Sequence, residues 1–377
     1  MTQDALIENA LEQILSVWQI DAKDLRGRGP KGFDWLPGSH LVSVRAVPID
    51  DNDQTYKSIR GMYGFDVQPR QEGIRLSVTT QVLTDFSNAS FGLLDAMAPS
   101  LSSTYSLVYP PAVYPPTAIF QQLARPEHSD FISIPQELEF FSSIYLDKSL
   151  VGWLPRFLAQ MVIMQPIDAE LRGYKLPEIL GGGRPKFELG HKRKDLGGIL
   201  EVADQVFVPA GAEKSRWQGT DEFIEFAETF ANSEVCVGFG EPGKFSCEVP
   251  FGSDTALIRC WTDQPHPHLG NGLLVTLDLP KTFDDRDAWV GPMFLNSLEA
   301  CAWTEVAQLG CWHSQNFGAK RGVVTSHTMF IPNALYMPGL VKNLILWQIG
   351  RARWVRGVIF PEEQDRLMSE IYQERFK

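Results

Sequence analysis

Alternation of apolar and polar positions is cleanest between Ile74 and Val82. There Ile74, Leu76, Val78 and Val82 fall on one side and Arg75, Ser77, Thr79 and Gln81 on the other, which predicts a half-buried strand. Before it, Ile7, Leu11, Ile14 and Trp18 recur at helical spacing and predict a first helix from Thr2 to about Trp18. Arg26 to Gly38 reads as a Gly/Pro-rich loop, and Leu41 to Val47 alternates weakly. After it, the pattern predicts a short helix over Phe91 to Ala98, a strand near Tyr105 to Tyr109, and a stiff proline connector over Pro110 to Pro116. Pro135 to Met164 is apolar and helical in character, broken at Gly152 and Pro155.

From Thr220 the pattern becomes regular. Thr220 can cap a helix carrying Phe223, Phe226, Ala227 and Phe230, with Asp221 and Glu222 at its positive end. Four strands follow, over Val235 to Phe239, Phe245 to Val249, Ala256 to Thr262 and Gly272 to Leu279. The stretch from Asp287 to Phe360 then reads helix, strand, turn, strand, long helix. The first helix starts near Gly291, because Pro292 must lie in the first turn, and places Asn296 and Glu299 on its wetter side. Leu309 to Ser314 and Val323 to Ile331 form a hairpin, ended by Pro332. Pro338 to Arg356 is apolar around most of its circumference and is therefore expected to be buried. Phe360 to Phe376 reads as a last amphipathic helix.

Short loops join antiparallel neighbours, so these elements predict an α+β fold with mostly antiparallel sheets and helices packed on them. A chain of 377 residues is long for one domain. The expected division is an N-terminal α+β domain over residues 1–165, a looser connector over 166–217 and a C-terminal α+β domain over 218–377. Both halves run helix, strands, helix and strand, which leaves a decayed duplication as a further reading.

The element order from Thr220 to Phe360, with Leu273-Leu-Val-Thr-Leu-Asp-Leu279 before the middle helix, resembles the type III secretion chaperone-like fold, which includes the YbjN-like bacterial proteins. The resemblance implies a non-catalytic module that binds other proteins, commonly as a dimer. It supplies no functional residues. The Pro-His-Pro-His loop and the long N-terminal half depart from it.

Charge changes the picture in one place. The chain carries a formal net charge of −12, which argues against nucleic acid or membrane as a partner for the whole surface. Yet from Val306 to Pro361 there is no Asp or Glu, and the only charges are Lys320, Arg321, Lys342, Arg351, Arg353 and Arg356. One reading pairs these cations with acids elsewhere in the fold. The other makes Arg351, Arg353, Arg356, Lys320 and Arg321 a docking face for a protein with an acidic surface. A homodimer is a further candidate assembly.

All five cysteines lie in the C-terminal half without a Cys-x-x-Cys pair, which predicts reduced thiols. No basic leader with an apolar run is visible, and the expectation is a cytoplasmic protein. The best chemical constellation is His266, His268, Cys311, His313 and His327, with a hairpin register that sets Cys311 across from His327. Such ligands could hold zinc, although their spacing matches no recognised metal motif. A Cys311–His327 nucleophile pair lacks an orienting Asp or Asn. Gly181-Gly-Gly-Arg-Pro-Lys186 lacks the ending of a phosphate-binding loop, and His191-Lys-Arg-Lys194 reads as a solvated charge run. No nucleophile elbow, zinc-protease helix or dinucleotide fingerprint occurs. The expected function is therefore protein binding without catalysis or cofactor, chaperone- or adaptor-like, with a hydrolase or metal enzyme built on the His/Cys cluster as the alternative.

Overall fold

The computed structural model describes residues 31–37, 42–49, 73–86, 91–101, 104–108 and 136–147. It also describes scattered positions between 160 and 194, Trp217, and residues 220–230, 235–239, 243–266, 269–280, 290–301, 308–316 and 322–359. The expected first and last helices, the proline tract and most of the segment from Leu180 to Gly219 lie outside the described residues.

The N-terminal half builds β1 (Lys31–Pro37), β2 (Val42–Ile49), β3 (Gly73–Phe86), α1 (Phe91–Met97) with a 3-10 turn at Ala98–Ser100, β4 (Thr104–Val108), β5 (Gln136–Asp147), α2 (Leu176–Leu180) and β6 (Arg193–Lys194). Its sheet runs β4-β5-β3-β2-β1-β6 and is antiparallel except for the β1–β6 pair. The C-terminal half builds α3 (Thr220–Phe230), β7 (Cys236–Phe239), β8 (Lys244–Phe251), β9 (Asp254–His266), β10 (Gly270–Asp278), α4 (Val290–Cys301), β11 (Cys311–Asn316), β12 (Val323–Pro332) and α5 (Leu340–Ile359). Its sheet is antiparallel throughout, in the order β11-β12-β10-β9-β8-β7. The fold is α+β, as the pattern predicts.

Period-two burial places the core. In β8, Phe245, Cys247, Val249 and Phe251 are buried and their neighbours are not; in β9 the same holds for Ala256, Ile258 and Cys260. With Leu273, Val275 and Leu277 of β10, these side chains form the face against which α5 packs. Leu340, Leu344, Ile345, Ile349, Ala352 and Val355 of α5 are all buried, so a helix apolar nearly all round is here a core helix. The α3 helix adds Phe223 and Phe226, whose rings meet Phe245 at 4.9 and 5.7 Å between centroids.

Two stretches differ from their sequence reading. Lys31–Pro37 is a strand inside the expected loop. Backbone pairing with β2 on one side and β6 on the other overrides its Gly/Pro composition, and Pro37 sits at its end. Gln136–Asp147 is a strand where a helical segment is expected. Leu138, Phe140, Ser142 and Ile144 are buried in alternation with exposed or half-buried Glu137, Glu139 and Phe141. Apolar residues on both faces hide that period in a one-dimensional reading.

Part of the stretch expected as a connector belongs to the cores. Just before it, Met164 is buried and the Gln165 amide spans β3 and β5 by accepting from Thr80 Oγ1 and donating to Val78 O and Ser142 Oγ; inside that stretch, Ile167, Ala169 and Leu176 are buried. At its far end, buried Trp217 donates from Nε1 to Asn333 Oδ1 at 2.7 Å, pinning the entry of α3 to the turn that leads into α5.

Candidate functional site

The β11–β12 hairpin carries the densest group of titratable side chains predicted from the sequence, and its register decides which of them meet. Cys311 faces Thr328, Trp312 faces His327, and His313 faces Ser326. The expected pairing of Cys311 with His327 is one residue out of register, and a one-residue slip moves a side chain to the opposite face. Cys311 and His313 therefore point to one side of the sheet and His327 to the other.

On the side away from α5, the row is His313, Ser326, Thr328, Asp278 and Arg259. Asp278 accepts from Ser326 Oγ at 2.7 Å and from the Arg259 guanidinium, which also lies over the Trp261 ring at 5.6 Å. His313 bonds Thr328 Oγ1 through Nε2 at 2.7 Å and the Ser314 carbonyl through Nδ1 at 3.2 Å. Burial pushes the His313 imidazole pKa down, with the Ser314 carbonyl and Asp278 acting against it. A Ser, a His and an Asp thus sit side by side, but the serine hydroxyl is directed at the carboxylate and the imidazole at a threonine. A nucleophile–base–orienter relay needs the serine on the imidazole. The row joins β9, β10, β11 and β12 instead.

On the α5 side, Glu299 of α4 is the hub. It accepts from Arg351 Nε at 2.8 Å, Arg351 Nη2 at 2.5 Å and Trp312 Nε1 at 2.7 Å. Arg351 is 1% exposed and Glu299 2%. Gln348 takes Arg351 Nη1 at 3.0 Å and meets His327 Nδ1 at 3.2 Å. Burial holds the His327 pKa well below the ordinary imidazole range, and the neighbouring Arg351 and His313 charges press the same way. Asn296, also buried, offers its amide to the Trp312 backbone in both directions, at 2.8 Å each. Both Asn296 and Glu299 are expected on the wet side of α4 and are instead enclosed. The face of α4 that looks polar in sequence serves the edge of a neighbouring strand.

That edge is closed. Asn296 occupies it at Trp312, and Asp95 of α1 takes the Ser314 N–H at 2.9 Å together with the Ser314 hydroxyl. Burial raises the Asp95 pKa, and the two Ser314 bonds oppose the rise. Beyond the start of β11, Gln160 Nε2 donates to the Phe330 carbonyl of β12 at 3.2 Å. The β11 edge therefore leaves little backbone for an added strand.

The remaining expected residues separate. His266 ends β9, with its ring 4.9 Å from Phe330, while His268, Lys320 and Arg321 lie outside the described residues. Among the described residues, no group of three or more His, Cys, Asp or Glu is arranged to hold a metal ion. Cys311 is buried, with its Sγ 3.4 Å from Asn296 Oδ1. Of the basic stretch, Arg351 is absorbed by Glu299, and Lys342 pairs with Glu225 of α3 at 3.0 Å. Glu222 of α3 receives the Gly339 and Val341 N–H groups at 2.9 and 3.2 Å, filling the amide end of α5. Arg353 and Arg356 are half-buried near the other end of α5. Glu299, Glu222, Asp278 and Asp95 carry this chemistry; the sequence placed Glu222 at a helix start and Glu299 on a wet helix face without assigning either a partner, and it left Asp278 and Asp95 without a role. The one signal for them was the missing acid between Val306 and Pro361, which implies carboxylates supplied from elsewhere.

No family model, curated protein or solved structure matches the chain. No helix among the described residues is long and apolar enough to cross a membrane.

Proposed function

We propose that the chain is a cytoplasmic, non-catalytic protein-binding module, chaperone- or adaptor-like, that docks an acidic protein surface on the C-terminal part of α5. The observation that carries this reading is the placement of Arg353 and Arg356. They lie three residues apart on α5, are half-buried rather than enclosed, and stand in a stretch free of carboxylates. Residues at this spacing are neighbours on a helix surface. Arg351, two residues earlier, belongs to the interior and takes no part in docking. A local positive field on a chain of net charge −12 favours an acidic partner and speeds its encounter. The hydrolase or metal-enzyme alternative asks for Cys311, His313 and His327 together, and the hairpin register puts His327 on the face opposite Cys311 and His313.

The test is the charge-reversed pair Arg353→Glu with Arg356→Glu, beside Arg353→Lys with Arg356→Lys. Binding to an immobilised acidic peptide and capture of the native partner are measured with the thermal midpoint. Loss of both interactions in the reversed pair alone, at an unchanged midpoint, is the expected result. Unchanged binding, or a collapsed midpoint in the reversed pair, removes the docking face.

A further inference from the structure

The two sheets share more than a fold class. Read from the edge inward, β4-β5-β3-β2-β1 and β11-β12-β10-β9-β8 have the same order and the same antiparallel directions. In both, three strands form a meander, a helix follows the third, and two mutually antiparallel strands return so that the second of them pairs with that third strand. The helices α1 and α4 occupy the same place in this order.

The contacts between the halves are reciprocal. The α1 helix packs on β11, and α4 packs on β4. The equivalent helices α1 and α4 touch each other, and so do the equivalent strands β4 and β11. An interface in which one element meets its partner's counterpart, and the counterpart meets the element, is the signature of a two-fold pairing. The hydrophobic interior crosses the same boundary. Leu94, Ala98 and Leu101 from the N-terminal half, together with Leu138 and Phe140, form one buried cluster with Met293 of α4 and Cys311 of β11. Polar bonds cross as well. Asp95 on α1 holds Ser314 on β11, and Gln308 forms a backbone bridge with Ser143 at 2.7 and 3.3 Å, extending the line of β4 along β5.

We infer that the chain is an internal pair: two copies of one α+β unit joined in a two-fold arrangement, each copy covering its middle helix with the returning strand pair of the other. The partner surface that a single unit would offer to a second molecule is filled by the second half of the same polypeptide. Neither half then completes its core alone, and the pair behaves as one body. This holds whatever the chain binds.

The decisive experiment reads exchange across the interface. In the full chain, Leu94→Ala on α1 and Met293→Ala on α4 are compared with the parent by backbone hydrogen exchange. Each variant is expected to raise exchange in the opposite half: Leu94→Ala in β11, and Met293→Ala in β4. Increases confined to each variant's own half overturn the pairing. Should either truncation fail to fold, Leu94→Val and Met293→Leu carry the same comparison. Calorimetry of the parent supplies an independent check. One transition for the whole chain is expected, and fragments nicked between residues 184 and 216 should still elute together. Two separable transitions, or release of a fragment under native conditions, refute the inference.

Discussion

Glu299→Gln should be among the most damaging single-atom-scale changes in this protein. The substitution keeps the shape of the side chain and removes its charge. Arg351, 1% exposed, is then left as a buried cation facing a neutral amide, and one of the two Glu299 oxygens that accept from Arg351 and Trp312 becomes a donor group. Removing one partner of a buried pair costs about 3–5 kcal/mol. The consequence for the thermal midpoint depends on how much of the chain unfolds together. At about 2.1 cal/mol/K of unfolding entropy per residue, all 377 residues carry about 0.8 kcal/mol/K, and the midpoint falls by about 4–6 °C. If residues 218–377 unfolded alone, the same loss would lower their midpoint by about 9–15 °C. Calorimetry measures the shift and the calorimetric enthalpy together, so the two cases separate. The companion variant Glu299→Gln with Arg351→Met removes the stranded charge and should recover part of the loss, because an uncompensated buried charge is the main cost of breaking such a pair. A midpoint within about 1 °C of the parent for Glu299→Gln would refute the argument, because it would mean that Arg351 is solvated or paired elsewhere.

Acidification should destabilise the fold near the imidazole range. His313 and His327 have folded-state pKa values below their ordinary value of 6.5, so the unfolded chain binds more protons there, and stability present above about pH 6.5 is lost as pH falls. Asp95 is shifted up from 3.8 and acts in the opposite sense at lower pH, where it loses stability as pH rises. A thermal midpoint that does not fall between about pH 7.5 and about pH 5.5, or an unaltered slope in His327→Gln, would contradict this assignment. Among the four described thiols, Cys236 alone is exposed and should alkylate fastest in the native protein. Cys247 should resist, because burial, with Cys236 and Glu248 beside it, pushes its thiol pKa up to about 12 against the pull of Arg353. Mass spectrometry of protein alkylated without reductant should show no disulfide among these four, and a well-occupied bridge would overturn the reading of the cysteines.

The strands of the C-terminal half, the hairpin and the long helix were legible in the linear pattern, because burial on one face of a strand leaves a period of two and burial around a helix leaves an apolar run. β3, α1 and β4 were legible for the same reason, and α+β followed from the element order. The absence of acid between Val306 and Pro361 was legible too, and with it the need for carboxylates from elsewhere to satisfy enclosed cations. Tertiary structure decided the rest. Pairing with β2 and β6 made a strand of Lys31–Pro37 against its composition, and two-sided burial hid the strand at Gln136–Asp147. The side of α4 that carries Asn296 and Glu299 looks wet in sequence. It is dry because the edge of β11 and the guanidinium of Arg351 lie against it, and neither is within reach along the chain. The fate of the His/Cys group turned on a single residue of register, which alternation cannot fix when both faces of a strand are buried. Reciprocal contact between the halves is a relation between distant surfaces, and local periodicity contains no term for it.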